Sequence, residues 1–447
     1  MHNTIHEQMN DYDQAIKYLE EFINYEKVGL DRIEKEFDLA NMYGVLKAMG
    51  NPHKQLNAVH IAGTKGKGSV SAMISSVLRE SGYNVGLFVS PHLSDITERI
   101  SVNGTPISRE DFAGILEKIS RFVSPQDFTY FEVITLAAIV YFYDLKVDYT
   151  VFEAGLGGRL DATNVLEPLV TVLTPIGFDH TDVLGPTIAK IAYEKAGIIK
   201  NGVDCVSADQ KDEAWMVIKK KCEAVGANFY YLGRDIQYRT SDVDENGTVF
   251  YLKTPGNAYS GLRTKMTGAF QVRNASLAAA VCEILLKGRL EPAHLSAGLY
   301  KAFLPGRLEM LAEKPSIIVD GAHDVMSASE LRTSVEDIFD YDKLILVMGL
   351  SRDKDAEGIL REIAPVADEI IFTRSLSPRA QDPFVLRGFV RGRKAKVTTD
   401  SKEALGAALK SAGEKDLILV MGSFYLVGEI RELILKKEKG ERQKEKE

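Results

Sequence analysis

Glycines, lysines and a hydroxyl stand together in Gly63-Thr64-Lys65-Gly66-Lys67-Gly68-Ser69, at spacings suited to holding a phosphate. Glycines at 63, 66 and 68 permit a tight turn whose amides can converge on an anion, with a helix dipole behind them. Lys67 is placed to reach terminal phosphates, and Ser69 to offer its hydroxyl to Mg²⁺. The spacing departs from G-x-x-x-x-G-K-[ST], because Gly68 separates Lys67 from Ser69. A glycine-rich turn with a surface lysine is the plain structural alternative. Four further groups carry chemistry: Ser90-Pro91-His92; the run Glu153-Ala-Gly-Leu-Gly-Gly-Arg-Leu-Asp161-Ala-Thr-Asn164; Asp179-His180-Thr181-Asp182; and Asp320-Gly321-Ala322-His323-Asp324. His180, flanked by carboxylates, suits metal ligation. Lys195, taken alone, reads as a solvated helix lysine. Gln271 and Asn274 open an alanine-rich stretch, where they serve as helix caps or as hydrogen-bond partners of a base.

The first four of these groups each follow an apolar run that reads as a strand: residues 58–62, 83–89, 149–154 and 170–174. Pro91 cannot continue a central ladder, so the chain leaves the sheet there. Open α/β sheets bind ligands at such strand ends. Helical spacing covers residues 12–23, 33–49, 70–78, 131–145, 188–199, 213–225 and 267–287. Beyond the linker Leu304-Pro305-Gly306-Arg307, strands over 316–319, 344–348, 369–372 and 417–420 alternate with helices, which predicts a small parallel sheet covered on both faces. The fold expected is α/β. An N-terminal P-loop ATPase domain with a mainly parallel sheet spans 1–299. A smaller Rossmann-like domain spans 300–435, and a charged tail over 436–447 frays into solvent.

With 447 residues, 45% of them hydrophobic and 26% charged, the chain has material for about two cores. A net charge of −8 argues against nucleic acid and acidic membrane as partners. The three cysteines, Cys205, Cys222 and Cys282, lie far apart and suggest neither a disulfide framework nor a thiolate zinc site. The N-terminus lacks an apolar signal core, and no run reaches the roughly 18 apolar residues of a span. The expected address is the cytoplasm.

Taken in order, Gly63 to Ser69, Ser90 to Leu93, Glu153 to Asn164, Asp179-His180, Asp320 to His323 and Gly422-Ser423 resemble the folylpolyglutamate synthase and dihydrofolate synthase family of the Mur ligase superfamily. The resemblance runs over nearly the whole chain. It implies an ATP-dependent amide ligase: dihydropteroate or a reduced folate takes the γ-phosphate as an acyl phosphate, and L-glutamate displaces it. It further implies two Mg²⁺ ions, with a monovalent cation as an additional candidate, and a monomer. By motif, Gly63, Thr64, Lys65, Gly66, Lys67, Gly68 and Ser69 hold the nucleotide, with Asn274, Arg307 and Asp320. Ser69, Ser90, Glu153, His180 and Lys195 fall on the family's metal residues, Lys195 where a carbamate is often carried. Lys67, His180, Lys195 and His323 become the catalytic candidates, and Asp161 the residue on the pterin side. Two departures stand out: Asp324 where the family has asparagine, and Phe270 where histidine is common. A UDP-muramoyl-peptide ligase would share these motifs but usually carries a longer domain ahead of the loop. A nucleotide-binding regulatory protein would not require the full metal set.

Overall fold

In a computed structural model of the protein, residues 11–28, 38–244, 247–390 and 392–444 are described. The expected helix over 33–49 is present as Ala40–Ala48, and its first residues lie outside the described ones. The first sheet comprises β1 (Ala58–Ala62), β2 (Val85–Phe88), β3 (Ile100–Val102), β4 (Thr105–Pro106), β5 (Tyr149–Glu153), β6 (Val170–Leu173), β7 (Asp204–Ser207) and β8 (Phe229–Tyr231). Their order is β4-β3-β2-β5-β1-β6-β7-β8. The six strands from β2 to β8 run parallel, whereas β3 and β4 turn back antiparallel at one edge.

β1 lies at the centre because each of its residues is buried on both faces, as parallel strands require. Its alternation splits the faces. Val59 and Ile61 join a core made with the Lys67–Glu80 and Ala269–Leu286 helices, while Ala58 and Ala62 turn to the opposite side. Onto that first core also pack β9 (Gln237–Asp244), β10 (Gly247–Lys253) and β11 (Ala258–Thr264), a small antiparallel sheet that contributes Phe250, Leu252 and Leu262. The Tyr130–Asp144 helix is apolar nearly all round, since it is enclosed beneath the other face.

The second sheet comprises β12 (Glu309–Glu313), β13 (Ser316–Val319), β14 (Leu344–Met348), β15 (Glu369–Phe372), β16 (Ala395–Val397) and β17 (Leu417–Met421), in the order β12-β13-β17-β14-β15-β16. It is parallel except for β12, and separate cores line its two faces. The expected two-sheet α/β architecture therefore holds.

Three details differ from expectation. The Pro292–Lys301 helix runs through residue 300, so the chain crosses between the sheets in the segment that follows it. The charged tail does not fray at 436, because the Phe424–Lys444 helix continues as far as residue 444, and the last three residues of the tail lie outside the described ones; lysine, glutamate and glutamine are good helix formers. The Ala269–Leu286 helix is long and apolar enough to cross a membrane, contrary to the reading that no stretch qualifies. Its hydrophobicity has another cause here, for 72% of it is buried inside the fold.

Candidate active site

The phosphate loop is built where β1 ends. Gly63 has φ +152°, and a Cβ there would stand 1.8 Å from Thr174 Oγ1 just past the end of β6, so only glycine fits. Gly66, at φ +81°, caps the Lys67–Glu80 helix in the left-handed region. The amides of Thr64 and Lys65 donate to Pro175 O at 2.9 and 3.3 Å, which ties the loop to the end of β6. The amides free to face an anion are then those of the helix's first turn, from Lys67 onward.

Lys67 Nζ stands 3.8 Å from Glu153 Oε1. Glu153 ends β5, is buried, and accepts from Ser90 N at 3.3 Å. Burial raises its pKa against the opposing pull of Lys67. Asn274 stands against the loop from the Ala269–Leu286 helix. It donates to Gln271 Oε1 at 2.9 Å, and Gln271 Nε2 lies 3.4 Å from Ser69 Oγ. The buried Asn274 Oδ1 has no partner, and it stands 2.6 Å from where a Cβ on Gly66 would lie. His180 adopts φ 49°, with Nε2 3.7 Å from Asp179 Oδ1. Burial lowers its pKa to about 4, so the ring is neutral.

Lys195 is buried in the Ile188–Ala196 helix and donates to Gly63 O at 2.8 Å. Burial, with Lys67 nearby, lowers its pKa to about 7. Asp161 caps the turn that closes the Gly155–Arg159 loop, accepting from Leu156 N at 2.7 Å and Thr163 N at 3.0 Å. From the second domain, Asp320 accepts from Leu308 N at 2.9 Å and Ala322 N at 2.8 Å. Arg307 lies over the Phe424 ring at 4.6 Å. His323 Nδ1 is 2.7 Å from Gly321 O, and burial lowers its pKa to about 4.

A cleft of 1490 Å³ between the two sheets joins most of these groups. Its wall includes Thr64 to Ser69, Ser90, Glu153, Asp161, His180, Asn274, Arg307, Asp320 and His323. Gly63 and Lys195 stand behind that wall, joined by their hydrogen bond. Among the described residues no three His, Cys, Asp or Glu side chains gather as a metal cage.

Sequence reading missed the roles of several groups at the cleft or directly behind its wall. Asp324, singled out as a departure, forms an ion pair with Lys65 across the cleft, and this holds its carboxyl well below the usual range. Arg99 is fully buried, with Nη1 2.9 Å from Glu26 Oε1 and Nε 2.7 Å from His92 Nδ1. Arg379 reaches from the second domain to Glu26 O at 2.8 Å and to Asp353 at 2.7 Å. Phe131 lines the cleft, its ring 2.5 Å from where a Cβ on Gly155 would stand. In sequence Phe131 is one more apolar residue of a buried helix, and the arginines carry no local signal.

Residues 61–282 match the family described as Mur ligase middle domain, and residues 306–424 match Mur ligase, glutamate ligase domain. The chain is 36% identical over 405 residues to dihydrofolate synthase/folylpolyglutamate synthase of Bacillus subtilis, covering 88% of this chain and 94% of that protein. Among solved structures, Mycobacterium tuberculosis folylpolyglutamate synthase complexed with ADP and AMPPCP superposes with a TM-score of 0.85 at 31% identity, covering 89% and 95% of the two chains. Escherichia coli FolC in complex with DHPP and ADP gives a TM-score of 0.85 at 28% identity, covering 97% and 100%.

Proposed function

The chain belongs to the dihydrofolate synthase and folylpolyglutamate synthase family of the Mur ligases, and from that premise we propose that its cleft joins L-glutamate to pterin-linked carboxylates in an ATP-driven reaction. The protein is an ATP-dependent carboxylate–amine ligase. The acceptors are dihydropteroate and the γ-carboxylate of reduced folates, in keeping with the bifunctional name of the Bacillus relative and the DHPP bound to the Escherichia coli structure. The observation that carries the reading is the cleft in which the phosphate loop faces Arg307, Asp320 and His323 of the other domain.

In this reading an acceptor carboxylate oxygen attacks the γ-phosphorus and ADP leaves. The glutamate amine then attacks the acyl carbon, losing a proton as phosphate departs with the bonding electrons. Both steps concentrate negative charge, so preorganised cations and amides dominate the catalysis. Lys67 and the first-turn amides receive the terminal phosphates. Ser69 and Glu153 are suited to Mg²⁺: the carboxylate is buried, its nearest cation is 3.8 Å away, and a few oxygen donors suffice for an ion that retains water and phosphate ligands. Mg²⁺ bound there would offset the charge on the phosphate oxygens. Ser90 holds Glu153 in place through its amide. Neutral His180 and His323 can accept or donate a proton at the cleft wall. Lys195, with a pKa of about 7, presents a substantial fraction of free amine, the form that adds CO₂ to become a carbamate. Asp161 and Phe131 border the pterin side, where a ring can stack on Phe131. Closing the two domains would keep water from the acyl phosphate. Glutamate is taken as the amine donor, and the chain is taken to act as a monomer.

An anaerobic assay with Mg-ATP and L-glutamate tests this, with 7,8-dihydropteroate and tetrahydrofolate offered separately and products read by mass. Addition of glutamate to both is expected. Addition to one alone removes the bifunctional reading, and addition to neither removes the folate reading.

A further inference from the structure

His60 is fully buried at the middle of β1, between Phe152 of β5 and Thr171 of β6. It points to the face opposite Val59 and Ile61, beneath the loop that follows β5. A histidine in a strand otherwise made of Ala, Val and Ile is costly to bury, so its hydrogen bonds must account for it. Its Nε2 is 2.7 Å from Thr163 Oγ1, and its Nδ1 is buried without a partner. Thr163 Oγ1 is in turn 2.5 Å from Asp161 Oδ1, which also accepts from Thr163 N, while Asp161 Oδ2 accepts from Leu156 N.

Counting donors settles the direction of this chain. Burial raises the pKa of Asp161, yet both of its oxygens already accept backbone amides, Oδ1 from Thr163 and Oδ2 from Leu156, so the carboxylate stands as an acceptor and the one hydroxyl hydrogen of Thr163 goes to it. The Thr163 oxygen must then accept from His60, which places the imidazole hydrogen on Nε2. Burial keeps the ring neutral at ordinary pH. His60 thus directs the Thr163 hydroxyl onto Asp161, and Asp161 directs the Leu156 amide at the start of the glycine loop.

We propose that His60 is a positioning residue for the acceptor side of the cleft, holding the Gly155–Asp161 loop in place through Thr163 and Asp161 without touching substrate. The inference rests on the proposed function for the identity of the acceptor. It gives β1 two tasks: its end carries the phosphate loop, and its middle steadies the wall against which the pterin is bound. One rigid strand would thereby fix the spacing between the phosphoryl donor and the acceptor carboxylate, the geometry on which an in-line transfer depends.

The test uses paired variants of the full chain. Thr163→Val removes the hydroxyl at nearly constant volume, and His60→Leu removes the donor. Each should raise KM for the pterin acceptor by about tenfold, the scale of a lost hydrogen bond to a charged group, while KM for ATP stays within about twofold. Thr163→Ser and His60→Gln, whose amide nitrogen can take the place of Nε2, should stay near the wild type. In a ¹⁵N-histidine spectrum His60 should be the Nε2–H tautomer, and its resonance should shift in Thr163→Val. Parallel changes in both KM values, or a Thr163→Val enzyme with unchanged acceptor KM, would overturn the proposal. So would an Nδ1–H tautomer. A wild-type protein that ligates neither acceptor would instead refute the proposed function, and the spectrum would still judge the hydrogen-bond chain.

Discussion

Lys195 shows how far residue type alone can mislead. In sequence it sits on a helix with polar neighbours, where a lysine is usually solvated. The fold buries it, gives it one carbonyl partner at 2.8 Å and sets Lys67 nearby, so its pKa falls to about 7. Because the folded value lies below the unfolded one, the native state resists protonation, and the free amine grows as pH rises through about 7. Protein equilibrated with ¹³C-bicarbonate is therefore expected to show a carbamate carbon signal that is absent from Lys195→Ala and fades below pH 7. Lys195→Ala should lose most activity and regain part of it with short carboxylic acids. Full activity without them would exclude a role for the modification.

At the scale of elements, the phosphate loop depends on backbone conformations that a side chain would obstruct. Gly66 combines φ +81° with an approach of 2.6 Å between a would-be Cβ and Asn274 Oδ1. Gly66→Ala therefore meets two penalties: about 1–2 kcal/mol for the left-handed conformation and a further displacement of Asn274. A fall in thermal midpoint of several degrees, with weakened ADP binding by calorimetry, is expected. An unchanged ADP affinity would show that Asn274 and the loop are not coupled. Neighbouring elements were legible because their apolar runs are long and end in glycine or proline. The loops between them were legible only as clusters of polar residues, since which donors they satisfy depends on strands more than a hundred positions away, as with Thr64 and Pro175.

Across the whole molecule, the two domains meet through charges as well as through the chain that links them. Lys65 pairs with Asp324, Arg273 Nη2 lies 3.6 Å from Glu330 Oε1, and Arg379 bonds Glu26 O. Asp324 also caps the Val325–Ile338 helix, and asparagine caps as well as aspartate. Asp324→Asn thus removes the cross-cleft charge while keeping the helix end. It should cost about 1–2 kcal/mol, because Lys65 is left partly buried without its carboxylate. Calorimetry should find the loss largest at low ionic strength and reduced at high salt. A salt-independent loss would point to the cap rather than to the domain contact. The same pairing explains why an aspartate is tolerated at a phosphate site, for its charge is already balanced.

By itself the sequence determined the two α/β sheets, the phosphate loop and the reaction class, because these depend on local periodicity, on glycines at turns and on motifs a few residues long. Tertiary structure alone decided which charges and hydrogen-bonding groups meet. His60 and Thr163 are 103 positions apart, Lys65 and Asp324 are 259 apart, and Arg379 and Glu26 are 353 apart. Pairing at such separations follows from how the strands are ordered and how the domains face each other. The same folding decided that Lys195 would be buried and that Phe131 would border a cleft, since burial is a property of the packed chain and not of the residue.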